Sequence, residues 1–404
     1  MAWNIGANDV ANAMGTSVGS GALTLAGAVV LAGIFEFAGA TLVGSHVTET
    51  IRKGILEVSL FQPESPLLGE DGPTILMLGM VAALLAAGVW LQIATTFGLP
   101  VSTTHSIVGA VIGFALVAVG RSAVSWGTVG TIVASWVVSP ILGGLIAASM
   151  FIFVTRFVLR SDHPIEATRR IGPHLIALVA FILVLSFIYK ALKNVVQDPE
   201  WWFVILAAGV MAGLGWILGR VWLNRSKPGD PDDPYDYVER VFAKLQIVTA
   251  AFVAFAHGAN DVANAVAPVA AVVQVARYGT LPDKVPVPGW ILVLGGVGIV
   301  LGLATWGYKV IATVGRKITE LTPSRGFSAE FGAATTVLVA SRLGMPVSTT
   351  HTLVGAVIGV GLARGIAALD LRMVGKIVNS WLVTLPIGAA LSAMFFFILR
   401  AIFL

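Results

Sequence analysis

Two copies of the octapeptide GANDVANA place an aspartate between asparagines in an otherwise apolar chain, at residues 6–13 and 258–265. Carboxylate and amide oxygens suit Na⁺, and a carboxylate can also carry a proton. The alternative is that buried asparagines simply hold neighbouring helices together. Because the whole pattern recurs, we favour an ion site. Its members are Asn8, Asp9, Asn12, Asn260, Asp261 and Asn264.

The hexapeptide PVSTTH is also duplicated, at residues 100–105 and 346–351. Proline ends a preceding helix and serine and threonine cap a new one, so each copy predicts a helix start within an apolar stretch. Backbone N–H groups and hydroxyls at such a start bind anions, although plain capping is the alternative. We expect His105 and His351 to be hydrogen-bonded helix-start residues rather than metal ligands. The hydroxyl-bearing residues are Ser102, Thr103, Thr104, Ser348, Thr349 and Thr350.

Neither motif contains lysine or arginine. A bound anion must therefore be balanced by helix dipoles and by cations bound beside it, because Asp9 and Asp261 would otherwise repel it. This favours coupling to Na⁺ or H⁺ over simple diffusion of an anion. Glu330 could be a further cation ligand or proton carrier, or it could form an ion pair with Arg342. Glu49 is expected at the membrane interface, near the end of a span.

The elements that carry these motifs must be membrane-spanning helices. Of the 404 residues, 57% are hydrophobic and 11% are charged, whereas soluble domains carry about 25% charged residues. The charge-free run at residues 72–120 alone exceeds the roughly 20 residues that one span needs. We therefore expect an all-α polytopic membrane protein of about twelve transmembrane helices, some broken or re-entrant. This composition excludes a soluble enzyme, a nucleic-acid binder and a disordered chain, and it disfavours a β-barrel.

The net charge of +4 is consistent with basic loops on the cytoplasmic side of a membrane, and the absence of cysteine excludes disulfides and thiol chemistry. We expect a multi-pass protein of the plasma or inner membrane. Its surroundings are then the lipid bilayer, and no nucleic acid is expected as a partner.

The duplicated motifs occur in the same order, so the chain contains an internal repeat. We expect a first repeat at 1–156 with a truncated first helix, two unpaired helices with cytoplasmic loops at 157–239, and a second repeat at 240–404. An odd number of spans in each repeat predicts opposite orientations, the inverted repeat of many secondary transporters. The span at about 241–276 is expected to break at its GANDVANA motif.

The pairing of two GANDVANA copies with two PVSTTH copies resembles the inorganic phosphate transporter (PiT) family over nearly the whole chain. HVTETIRKG at residues 46–54 is similar to an acidic segment of that family. The resemblance implies a carrier of inorganic phosphate driven by Na⁺ or H⁺, built from inverted repeats and commonly a homodimer. It implies no enzyme activity and no cofactor, with Na⁺ acting only as the coupling ion.

For phosphate, the resemblance implies contacts with the two Ser/Thr runs, and we add Asn8, Asn260 and Gln92. For Na⁺ it implies the two aspartates of the GANDVANA motifs. Our prediction joins to them Glu330 and the asparagines of both motifs. The residues expected to be associated with transport are Glu49, His105 and His351.

We predict a symporter that imports inorganic phosphate with Na⁺ by alternating access, with both ligands bound between the repeats near the membrane midplane. An H⁺-coupled phosphate carrier or a sulfate permease on the same scaffold is the alternative, and a channel is less favoured. An intramembrane aspartyl hydrolase built on Asp9 and Asp261 is disfavoured, because a protease needs no hydroxyl-rich helix starts.

Overall fold

A computed structural model describes residues 1–44, 54–190, 200–228, 233–280, 287–342 and 347–404. Across these ranges the chain is built from helices, and the β structure found there is an isolated antiparallel bridge between Leu56 and Val124. The all-α fold expected from the composition is confirmed. Glu49, and Pro346 of the second PVSTTH copy, lie outside the described residues.

The helices follow one another along the chain. Those before the centre are α1 Ala2–Ile5, α2 Ala11–Gly19, α3 Leu25–Leu42, α4 Gly72–Thr96, α5 Thr103–Ala118 and α6 Trp126–Val154. The central pair is α7 Pro164–Lys190 and α8 Trp201–Arg225. Those after the centre are α9 Pro234–Tyr278, α10 Gly289–Trp306, α11 Tyr308–Arg316, α12 Pro323–Arg342, α13 Thr349–Arg364 and α14 Leu371–Phe403.

Eight helical stretches among the described residues are long and apolar enough to cross a membrane, and α5 is a shorter apolar helix. Large apolar side chains on the outside of the bundle, such as Leu145 and Leu382, are well exposed. Such a surface is suited to lipid tails, which are as apolar as leucine. The prediction of an all-α polytopic membrane protein is confirmed.

The two GANDVANA copies differ in backbone conformation, and the expected break in the second copy is wrong. The first copy begins with a π-helical turn, Gly6–Val10, between α1 and α2. The second copy lies within α9, a helix of 45 residues that runs through it. A helix needs no break there because the polar side chains of the motif find partners on neighbouring helices, as described below. A π-turn inside a helix is frequent at functional sites.

The glycines of the motifs permit close packing of helices rather than unwinding. A Cβ atom at Gly258 would collide with the backbone of Glu36 on α3, and one at Gly6 would collide with the carbonyl oxygen of Ile299 on α10. Small residues let membrane helices approach in this way. Each GANDVANA motif therefore packs closely against a neighbouring helix through its first glycine.

Each PVSTTH copy leads into a short helix, and each of these two helices packs against a helix of the other half. Gly109 of α5 lies against the backbone of Leu385 on α14, and Gly355 of α13 lies against the backbone of Pro140 on α6. α5, which starts in the first half, thus packs against α14, the last helix of the second half. α13, which starts in the second half, packs against α6 of the first half. This exchange brings the two helix starts together at the centre of the bundle.

The central hairpin of α7 and α8 agrees with the two apolar segments expected between the halves. α7 starts at Pro164, because proline is well suited to the first turn of a helix. Near its other end, the ring of Phe187 lies 6.2 Å from that of Phe255 on α9. The hairpin is therefore packed beside the helix that carries the second GANDVANA motif.

Candidate functional site

The two hydroxyl-rich helix starts meet head to head in the interior. The hydroxyl of Ser102 accepts the backbone N–H of His105 at 3.3 Å, and that of Ser348 accepts the N–H of His351 at 3.2 Å. Both serines are therefore N-caps, as the motif indicates. Ser348 also donates to the Ser102 hydroxyl at 3.0 Å. Two positive helix ends thus face the same region, which suits a bound anion.

Asp9 of the first GANDVANA motif joins both helix starts. Its carboxylate accepts hydrogen bonds from the hydroxyls of Thr103 and Thr350, and from the backbone N–H of Thr103 at 3.3 Å. Asn12 supports the same arrangement, because its amide donates to Thr350 at 3.1 Å and to Asp9 at 3.4 Å. All of these residues are buried. The acidic motif of one half is therefore bonded to the helix starts of both halves.

Asp261 makes a related set of contacts in the second half. Its carboxylate accepts from Thr349 at 2.9 Å, from Asn260 at 3.1 Å and from Asn264 at 3.3 Å. The Asn264 amide also lies 3.2 Å from the Thr103 hydroxyl and 3.3 Å from that of Thr104. Each GANDVANA copy thus reaches the PVSTTH copy of the other half. The two motif pairs form one connected polar cluster.

Asn8 and Gln92 are placed differently from the rest of the predicted ligands. The Asn8 amide donates to the hydroxyl of Thr95 at 2.9 Å and to the carbonyl of Leu99 at 3.0 Å, and its oxygen accepts the N–H of Val101 at 3.0 Å. Asn8 therefore fixes the connection between α4 and α5. Gln92 lies on α4 with a half-buried side chain, and it is Thr95, one turn further, that reaches the motif.

His257, which the sequence interpretation missed, lies between three carboxylates. Its Nε2 is 2.8 Å from Asp261 Oδ2 and 4.0 Å from Asp9 Oδ2, while its Nδ1 is 3.0 Å from Glu36. All four side chains are buried. The position of His257 four residues before Asp261 on an apolar helix was an available signal, since residues so spaced share a helix face. Its partner Glu36, on α3, could not be identified from spacing.

Two carboxylates and one imidazole at this point are close enough to share a cation. One ligand atom from each of Asp9, His257 and Asp261 lies within 4.8 Å of the others. The Oδ1 atom of Asn12 is buried and has no hydrogen-bond partner, so it adds a free acceptor beside Asp9. Carboxylate and amide oxygens match what Na⁺ requires in transporters. An oxygen-rich cation position therefore adjoins the two helix starts.

Glu330 lies in a separate polar cage. Its Oε1 accepts from Thr16 and Ser17, both at 2.7 Å, and from Gln246 at 3.0 Å, and its Oε2 accepts from Thr249 at 2.6 Å. These donors satisfy a carboxylate that is completely buried. One prediction for Glu330 is an ion pair with Arg342, and the side chain of Arg342 lies outside the described residues.

The rings of His105 and His351 are stacked on tryptophans, and Nδ1 of His351 also has a long hydrogen-bond contact, 3.5 Å from the carbonyl oxygen of Trp136. His105 stacks on Trp136 with ring centroids 3.3 Å apart, His351 stacks on Trp381 at 3.8 Å, and the two histidines meet edge to face at 4.1 Å. Both nitrogens of His105 lack a hydrogen-bond partner. The rings instead form an aromatic column, because each helix start faces the tryptophan of a long neighbouring helix.

A cavity opens beside this cluster, with an empty volume of about 500 Å³ that includes its open mouth. Its lining includes the motif residues Asp9, Asn12, Thr349 and Thr350. Most of the other lining residues are apolar, and the lining contains neither lysine nor arginine. An anion in this cavity would meet the hydroxyls at the start of α13 and any cation held by Asp9. The fold and this site together define a membrane transport protein.

Comparisons with known proteins identify the family. The model of the phosphate transporter family matches residues 5–392, and the chain belongs to that family. A protein of Pyrococcus abyssi named "Putative phosphate permease" is 49% identical over 399 residues, which cover 99% of this chain and 95% of the relative. A protein of the same name from Haemophilus influenzae is 44% identical over 410 residues, covering 100% and 95%.

A solved structure, "The sodium-dependent phosphate transporter", has the same fold with a TM-score of 0.88 at 46% sequence identity. The match covers 100% of this chain and 96% of that one. The family resemblance stated from the motifs is thereby confirmed. The family consists of transporters, so the expectations of no enzyme activity and no cofactor are confirmed as well.

Proposed function

We propose that the protein is a secondary symporter that imports inorganic phosphate together with Na⁺. The observation that carries this proposal is the position of Asp9, whose carboxylate accepts hydrogen bonds from hydroxyls of both helix starts. The Asp9 carboxylate thereby belongs to the proposed cation position and also bonds to hydroxyls of the proposed anion position. A cation that binds Asp9 necessarily alters the hydroxyls that face the anion, which is the connection that coupled transport needs. The name of the structural neighbour supports sodium as the coupling ion.

Charge balance also supports coupling. The cavity contains Asp9 but neither lysine nor arginine. Bringing a phosphate anion next to an aspartate in a medium of low dielectric constant is unfavourable without a compensating positive charge. Two helix N-termini supply part of that charge, and Na⁺ bound at Asp9 and Asp261 would supply the rest. Phosphate and Na⁺ then bind favourably only together.

The same groups favour phosphate over sulfate. At neutral pH phosphate still carries a proton that can be donated, whereas sulfate does not, so an acceptor facing the anion selects phosphate. The Oδ1 atom of Asn12, a residue of the cavity lining, has no protein partner and provides such an acceptor. A sulfate permease, or phosphate transport driven by H⁺ carried on a buried carboxylate, remains the alternative within transport.

We propose that transport proceeds by alternating access between two inverted repeats, at 1–156 and 240–404, with 157–239 inserted between them. The crosswise contacts support this view, because Asn12 bonds to Thr350 while Asn264 bonds to Thr103. A site shared between two related halves near the midplane is typical of such carriers. Rocking of one bundle against the other would open the site to each side in turn.

The proposed setting is the plasma or inner membrane, in which the protein forms a homodimer. The segments that flank the central hairpin carry Arg156, Arg160, Arg225 and Arg240, which suits the cytoplasmic face. With that orientation phosphate is carried inward along the Na⁺ gradient. Size-exclusion chromatography with light scattering in detergent would report the oligomeric state.

The direct test is uptake of ³²P-phosphate into liposomes that contain the purified protein and an inward Na⁺ gradient. We expect Asp261→Asn to lose Na⁺-driven uptake, because it removes a charge from the cation position. Glu320→Gln, at a side chain that is 80% exposed, is the matched control and should transport normally. Uptake by Asp261→Asn equal to that of the wild type would contradict the proposal. Saturable rather than linear flux would distinguish a carrier from a channel.

A further inference from the structure

The cavity receives one polar side chain from an unexpected helix. Its lining combines motif residues, His257 and apolar side chains of α9 and α12. The remaining polar member is Ser186, which belongs to α7 of the central hairpin. Neither GANDVANA nor PVSTTH has a copy on this hairpin. Ser186 thus brings a third part of the chain to the site.

The hydroxyl of Ser186 has no protein partner. Its side chain is only 2% exposed, and its Oγ atom is buried without a hydrogen bond. Other buried helix hydroxyls in this protein bond to a carbonyl one turn earlier, as Ser106 does to Ser102 at 2.9 Å and Ser328 does to Ser324 at 2.8 Å. Buried polar groups are normally satisfied in this way. The hydroxyl of Ser186 is therefore available to something that enters the cavity.

A buried hydroxyl without a hydrogen-bond partner does not by itself indicate substrate binding, because two further serines share this property. Ser139 on α6 and Ser392 on α14 also lack hydrogen-bond partners, but neither lines the cavity. Ser186 alone of the three combines a hydroxyl that has no partner with a place in the lining of the cavity, which Asp9 and Thr350 share. α7 is also fixed beside α9 by the contact of Phe187 with Phe255.

We propose that Ser186 is a further substrate-binding residue, which hydrogen-bonds a tetrahedral oxyanion as it moves through the cavity to the helix starts. A serine hydroxyl can donate to a charged phosphate oxygen or accept from a protonated one. The central hairpin then takes part in binding rather than only supporting the two repeats. This inference rests on the proposed function, and it names a residue that neither motif supplies.

Because the chain contains no cysteine, Ser186→Cys creates a unique thiol that can be tested directly. The variant in liposomes is treated with a charged methanethiosulfonate reagent, with and without saturating inorganic phosphate in Na⁺ buffer. We expect saturating phosphate to slow labelling at least about fivefold, because the reagent can react only while the site is empty. Ser392→Cys is the matched control and should remain unlabelled.

Ser186→Ala measures binding without a label. It removes a hydroxyl that has no protein partner, so we expect normal folding, unchanged maximal uptake and a KM for phosphate raised about fivefold. Ser186→Thr retains a hydroxyl and should restore KM, while Ser392→Ala should change nothing. An unlabelled Ser186→Cys, equal labelling rates with and without phosphate, or an unchanged KM in Ser186→Ala would overturn the proposal. Wild-type phosphate uptake in the same vesicles tests the proposed function separately.

Discussion

At the scale of single residues, the site depends on hydroxyls that each hold two polar groups. Thr103 donates to Asp9 and accepts from Asn264 at 3.2 Å, and Thr350 donates to Asp9 and accepts from Asn12 at 3.1 Å. Hydrogen bonds to an ionised carboxylate are stronger than neutral ones. Loss of one hydroxyl therefore removes one hydrogen bond from an acid and one from an amide.

Thr350→Val tests this arrangement with little change in shape. We expect uptake at low phosphate concentration to fall at least about tenfold, since a hydrogen bond to a charged group contributes roughly 1.5–3 kcal/mol. Thr352→Val on the same helix is the control, because Thr352 donates only to the carbonyl of Ser348 at 2.8 Å. Equal uptake by the two variants would show that the Asp9 contact is dispensable.

Glu330→Gln tests the separate carboxylate. The four donors around Glu330 need two charged oxygens, and a glutamine would turn an N–H₂ group toward some of them. Because the sequence predicts Glu330 as a further Na⁺ ligand, we expect loss of its charge to raise the Na⁺ concentration required for half-maximal uptake at least about tenfold. Titration of Na⁺ in the uptake assay measures this. A normal Na⁺ dependence would assign Glu330 a purely structural role.

The sequence predicted the members of the central cluster but not all of their neighbours. The GANDVANA aspartates and the PVSTTH hydroxyls were identified because two duplicated motifs mark them. His257 and Glu36 were missed as a pair, since 221 residues separate them and only packing brings them together. Thr16 was missed for the same reason, because its partner Glu330 lies 314 residues away. Neither pair is marked by repetition.

At the scale of elements, the sequence predicts where α5 and α13 start. It does not predict whether the helices that carry the GANDVANA motifs are broken or continuous. Serine caps act within one turn, so PVSTTH predicts the beginnings of α5 and α13 from local residues alone. The role of Gly258 depends on the backbone of Glu36, a contact that no local pattern reveals. A glycine in a membrane helix can mean close packing or unwinding, and here it means packing.

Gly258→Ala tests that conclusion. The added Cβ would collide with the backbone of Glu36, so we expect a loss of about 1–3 kcal/mol in stability, typical of overpacking, and a lower Tm in detergent. Gly213→Ala on α8 is the control, because no atom lies near its Cβ and alanine favours a helix. A wild-type Tm for Gly258→Ala would indicate that α3 and α9 can separate without cost.

At the scale of the whole molecule, the two halves are interlocked rather than placed side by side. α5 packs against α14 and α13 packs against α6, so both helix starts are held by the opposite half. Any motion of one bundle relative to the other must therefore change the distance between the starts, and with it the bonds to Asp9. This links the proposed rocking motion to occupancy of the ion and phosphate positions.

The central claim is that bound Na⁺ makes phosphate binding favourable in a site without lysine or arginine. It is tested most directly by ³²P-phosphate uptake into liposomes with Na⁺ replaced by K⁺, measured at two pH values. We predict that uptake requires Na⁺ at both values and that a pH gradient cannot replace it. Equal uptake in K⁺, driven by the pH gradient, would contradict the account and assign the coupling to protons.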